Sequence, residues 1–171
     1  MLQALGKPTV LISSFALMSV MFVIVMFIVN PSIDGKDGSG VLELQLTFKK
    51  DVGVDLLKSW GGSGVNNFKK WIFTDYIYAF TYSLFFASLI SYLDQKKRPE
   101  SQFTSIYFVC IAFLSGALDC LENSMELSFI SNPYSFSANL FFVHSIVASL
   151  KWLAVAILVI YILALFANSI R

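Results

Sequence analysis

The side chains able to do chemistry are concentrated in one short stretch, Asp119-Cys120-Leu121-Glu122-Asn123-Ser124-Met125-Glu126. Asp119, Glu122, Asn123 and Glu126 fall at i, i+3, i+4 and i+7, so three carboxylates and an amide share one face of a helix. Downstream, His144, Ala148 and Lys151 share a face by the same spacing, and upstream Asp75, Tyr78 and Tyr82 form a stripe. Three chemistries are open to such a set. Asp119 and Lys151 can form a structural ion pair that fixes helix register. The remaining carboxylates can take a polar ligand or a proton, because neighbouring carboxylates in low dielectric cannot all ionise. That condition suits general acid/base catalysis, for which Glu122 and Asp119 are the candidates and His144 the helper; Asp75, Tyr78, Tyr82, Asn123 and Glu126 are the candidate ligand-binding residues. A metal set of Asp75, Glu122, Glu126 and His144 is geometrically feasible. Carboxylate-bridged di-metal bundles, however, use Glu-x-x-His on two helices, and this chain has one histidine and no such motif, so neither a metal nor another cofactor is expected.

The elements that must position these residues are membrane helices. With 57% hydrophobic and 16% aromatic residues in 171 and a mean hydropathy of +0.72, the chain is too apolar to hide its surface in one soluble core. Four stretches reach the ~20 residues a bilayer requires: Thr9 to Val29, Trp71 to Leu93, Phe103 to about Leu127, and Asn139 to Ala167. The first exceeds a signal-peptide apolar core and Asn30-Pro31-Ser32 offers no small-x-small cleavage site, which predicts a retained helix. Residues 1–171 then form a single all-α domain, a four-transmembrane-helix bundle. The net charge of +1, with no basic cluster larger than Lys96-Lys97-Arg98, excludes a nucleic-acid partner. That cluster, with Lys7 and Arg171, predicts cytoplasmic termini and a cytoplasmic second loop, N-in and C-in. Cys110 and Cys120 lie about 15 Å apart along one helix and cannot pair.

The first outer loop, residues 30–70, is the only substantial extramembrane part. Asp34-Gly35-Lys36-Asp37-Gly38-Ser39-Gly40 is a turn cluster; an EF-hand reading fails because Lys36 stands at a ligand position. Leu42, Leu44, Leu46 and Phe48 alternate with polar residues and predict a strand. Asp51 is placed as the N-cap of a short helix through Trp60, closed by Gly61-Gly62-Ser63-Gly64. The bundle thus carries a small cap of strand and short helix. Lys69-Lys70-Trp71 suits a headgroup layer, and Tyr76, Tyr78, Tyr82 and Tyr107 suit an amphipathic cavity, since a buried hydroxyl needs a partner. Ser115, Gly116 and Ala117 allow close helix approach beside Asp119.

The stretch from Trp60-Gly61 through Asp75-Tyr76-Ile77-Tyr78, with Gly116-Ala117-Leu118-Asp119-Cys120-Leu121-Glu122-Asn123, resembles a group of bacterial four-helix membrane proteins that carry D-x-x-E-N in the third helix. The resemblance implies architecture, a shared polar site and a bacterial cytoplasmic membrane. The topology is also similar to claudin-like tetraspans, here without their cysteine pair. A further similarity, through loop one and the acidic residue early in helix two, is to the emopamil-binding and sigma-2 group of sterol isomerases and lipid-binding proteins, from which no catalytic residue carries over. The expected role is that of an accessory or structural subunit contacting lipid and a protein partner through loop 30–70, its strand offering a docking edge. The alternative is an intramembrane enzyme or lipid-like ligand binder, with a cavity between helices two, three and four.

Overall fold

The computed structural model describes residues 2–34, 39–95 and 102–169. Among these, every regular element is helical. A short α1 (Leu2–Leu5) precedes α2 (Pro8–Val23), which opens on proline, whose fixed φ suits a first helical turn. α2 continues as a π-helical turn, Ile24–Val29, ending where Asn30 N–H donates to the Val25 carbonyl at 2.9 Å. Then follow α3 (Pro31–Asp34), α4 (Ser39–Leu46), α5 (Lys50–Gln95), α6 (Gln102–Ser131) and α7 (Ala138–Ser169). The turn glycines at 35 and 38, and the basic cluster Lys96-Lys97-Arg98, lie outside the described residues, as does Arg171.

Four helices are long and apolar enough to cross a membrane: Pro8–Ile33, Lys50–Gln95, Ser105–Ser131 and Ala138–Ala167. α5 is two helices joined at a break, and the part from Gly62 to Gln95 alone is about 51 Å long by helical rise, longer than the ~30 Å hydrocarbon core. Its N-terminal part must therefore stand outside the bilayer. The break is at Gly61, with φ 64° and ψ −176°, a conformation essentially confined to glycine. The short helix thus stops at Trp60 as its sequence predicts, but the next one starts again at Gly62 rather than at Trp71.

Two expectations for loop one need correction. Leu42 to Phe48 is not a strand; Ser39–Leu46 is helical. Val41, Leu44 and Gln45 are buried, whereas Leu42 and Leu46 are exposed, an i, i+3, i+4 pattern that identifies the inward face of a helix. The alternation misleads because the outward leucines of an apolar environment look like core. Asp51 is not an N-cap either: Lys49 accepts the first helical bond, from Gly53 N–H at 3.2 Å. Asp51 sits in the first turn, where the helix dipole favours a carboxylate.

The first span packs on α5, α5 on α6, and α6 on α7. α5 and α6 approach closely at Gly116, where any added Cβ would run into Ser83 Oγ and lie 3.0 Å from the Ala79 carbonyl. Two apolar clusters mark the ends of the bundle. One gathers Leu44, Leu57, Trp60, Phe68, Ile72, Phe129 and Phe141 at the α4 end; the other gathers Ala87, Ile90, Val109, Ala112 and Leu158 at the opposite end. α4 is pinned to α7 by Ser145 Oγ, which donates to the Thr47 carbonyl at 2.5 Å. The first and fourth spans share no packed seam among the described residues.

Candidate functional site

Between the two apolar clusters lies a polar layer supplied by α5, α6 and α7. Helical periodicity brings Asp119, Glu122, Asn123 and Glu126 inward together, and all four are buried, three of them completely. On one side Asn123 Nδ2 donates to Asp75 Oδ2 at 3.0 Å, tying α6 to α5. On the other, α7 presents Lys151 and His144. Lys151 Nζ lies 2.9 Å from Asp119 Oδ1 and 2.7 Å from Glu122 Oε2. His144 Nε2 lies 3.3 Å from Glu126 Oε1 and 4.0 Å from Glu122 Oε1. The imidazole packs against the rings of Phe129 and Phe141, which also contact each other, at centroid distances of 5.2 and 5.6 Å.

Lys151 therefore bridges two carboxylates rather than pairing with Asp119 alone. Within the layer four carboxyl groups, Asp75, Asp119, Glu122 and Glu126, face one ammonium and one imidazole. Glu122 Oε1, Asn123 Oδ1 and His144 Nδ1 are buried without a hydrogen-bond partner. Charges at membrane depth demand compensation, and this layer has more acid than base.

A cavity of about 550 Å³ opens beside the layer, within the usual size for a small-molecule site. Its walls are apolar and aromatic: Met18, Phe22, Val25 and Met26 from the first span, Trp71, Phe85 and Phe86 from α5, Trp152 and Val155 from α7. Its polar groups are few and convergent, namely Asn30, Gln45, Asp75, Tyr78, Tyr82, Asp119 and Lys151. Phe22, Met26 and Trp152 at its rim are each about two-fifths exposed, because the first and fourth spans part there. The π-helical turn contributes to the wall: its wider winding sets Val25, Met26 and Asn30 on the same side, a feature frequent at functional sites.

The ligand-binding candidates divide accordingly. Asp75, Tyr78 and Tyr82 line the cavity, while Asn123 and Glu126 stand behind it. Of the acid/base candidates, Asp119 reaches the wall and Glu122 and His144 do not. Tyr82 contributes a buried hydroxyl without a hydrogen-bond partner. Tyr76 bonds Ser124 at 2.7 Å instead, and Tyr107 faces outward. The cavity is lined by α5, by Asp119 of α6 and by α7, and in addition by the first span and α4. Sequence reasoning missed Gln45, buried on α4 and hidden once that stretch is read as a strand, and Asn30, which closes the π-helical turn just beyond the predicted end of the first span. No protein-family model, curated protein or solved structure matches this chain.

Proposed function

We propose that this membrane protein binds an amphiphile drawn laterally from the bilayer, with its tail along the aromatic wall and a cationic or hydrogen-bond-donating head at Asp75. The observation that carries the reading is the lining of the cavity, apolar and aromatic with a few convergent polar groups, together with the partial exposure of Phe22, Met26 and Trp152 where the first and fourth spans share no packed seam. Asp75 is the floor group best suited to a positive head, since it accepts from the neutral Asn123 amide whereas Asp119 already has Lys151. The finer assignments belong to the same reading: both termini cytoplasmic, and residence in a bacterial inner membrane. An accessory role in a larger complex is the competing proposal, and it has lost the strand edge on which loop one would have docked a partner.

The test uses the full chain in lipid nanodiscs. A brominated long-chain alkylamine is titrated while tryptophan emission is followed, because Trp71 and Trp152 stand in the cavity wall. Saturable quenching is expected, weaker for the matched fatty acid. Asp75→Asn should weaken amine binding by about tenfold or more, as removal of a charge-assisted hydrogen bond implies. Quenching that does not saturate, or is indifferent to the head group, would refute the reading. A stoichiometric protein partner in native mass spectrometry, with no retained lipid-like mass, would favour the accessory role.

A further inference from the structure

Behind the cavity, Glu122 and Glu126 of α6 face His144 of α7, and one ligand-competent atom from each lies within 4.8 Å of the others. We infer that these three residues form a binding site for a small divalent transition cation of the zinc type. This goes beyond amphiphile binding and does not depend on it.

Geometry is the first support. Zinc bonds of about 2.0–2.2 Å to nitrogen and oxygen make a tetrahedral ligand–ligand edge of about 3.3–3.6 Å. His144 Nε2 stands 3.3 Å from Glu126 Oε1 and 4.0 Å from Glu122 Oε1, so the first of these edges already matches and the second needs a few tenths of an ångström, while the carboxylates, within 4.8 Å, close the third edge by rotating toward the ion. The second support is independent of that spacing. Glu122 Oε1 is fully buried, lacks a hydrogen-bond partner and points into the triad. Its other oxygen, Oε2, is taken by Lys151 at 2.7 Å, so the two oxygens of one carboxylate face two different cation positions. Charge is the third. The one ammonium serves Asp119 and Glu122, so Glu126 beside them stays protonated unless a cation joins it, and a divalent ion between Glu122 and Glu126 would let both ionise.

The donor set selects the class of ion. Calcium takes about six to eight oxygens at 2.3–2.6 Å, more than this enclosed pocket offers, and magnesium keeps several waters. Two carboxylates and an imidazole suit zinc, cobalt or iron, with one tetrahedral position left open. Asp119, which shares Lys151 with Glu122, lies on the cavity wall, so the site stands directly behind the cavity.

The experiment purifies the full chain in detergent with chelator, then titrates Co²⁺ and reads the visible d–d bands of a four-coordinate ion, with Zn²⁺ as competitor and bound metal counted by mass spectrometry. Saturable cobalt bands displaced by stoichiometric zinc are expected. Glu126→Gln and His144→Ala should each weaken metal binding by about tenfold or more, and Asp55→Asn, an exposed carboxylate outside the triad, should leave it unchanged. The isosteric Glu126→Gln carries the test alone if His144→Ala does not yield monodisperse protein. Wild-type protein without cobalt bands would overturn the site and leave the triad as proton-sharing carboxyls; so would bands that survive in Glu126→Gln.

Discussion

Replacing Lys151 with methionine probes the energetics of the polar layer directly. The substitution keeps the stem's volume and removes only the charge. Lys151 is 6% exposed at its side chain, Asp119 5% and Glu122 0%, and its ammonium lies within 2.9 Å of one carboxylate and 2.7 Å of the other. Removing one partner from a buried ion pair destabilises by about 3–5 kcal/mol, because the remaining charge is left uncompensated. An independent gauge is the insertion penalty for a lone aspartate at the centre of a span, about 2.5–3.5 kcal/mol. The two overlap at about 3 kcal/mol, more than a hundredfold in the folded-to-unfolded ratio. The assay is reversible unfolding in mixed micelles, comparing wild type, Lys151→Met, and the triple variant Asp119→Asn/Glu122→Gln/Lys151→Met. The triple variant has no orphaned charge and should recover most of the loss, since neutral replacement of a whole buried network is often tolerated. If Lys151→Met unfolds within about 1 kcal/mol of wild type, or if the triple variant is no more stable than the single, the ion-bridge account of this layer is wrong.

Two backbone predictions can be checked by the same unfolding assay. Gly61→Ala should destabilise by about 1–3 kcal/mol, although an added Cβ there meets no atom within 4 Å, because the loss is purely conformational; Gly62→Ala, also in open space but helical, should be neutral or slightly stabilising. Gly116→Val should lower stability by about 1–3 kcal/mol, since Ser83 Oγ, which the new side chain would displace, is held by its 2.7 Å bond to the Ala79 carbonyl; an unchanged unfolding midpoint would mean that α5 and α6 can separate at no cost.

The polar layer was legible because helical spacing depends only on sequence. Asp119, Glu122, Asn123 and Glu126 had to share a face, and so did His144, Ala148 and Lys151; all seven are buried. Gly61 was equally readable as a helix terminus. Which partner each charge chooses was not, since the relative axial shift of α6 and α7 decides whether Lys151 meets Asp119 alone or Glu122 as well. Loop one failed for a different reason. In water an exposed leucine argues against a helical assignment, so Leu42 and Leu46 pulled the reading toward a strand, but in an apolar environment both faces of a helix can be leucine. Once α4 was misread, Gln45 had no reason to be placed at the cavity.

The position of Lys151 also bears on how the chain is made. The first and last spans are strongly apolar, with mean hydropathies of 2.6 and 2.5, while the two middle ones reach only 1.3 and 1.6. Those middle spans carry all four carboxyl groups of the layer, and the ammonium that bridges two of them lies 32 residues downstream of Asp119. During synthesis the α5–α6 hairpin must therefore wait, poorly suited to lipid, until α7 emerges. The final helix is thus the element that completes the layer, and a chain truncated before Lys151 would leave the carboxyl groups of Asp119 and Glu122 without their ammonium.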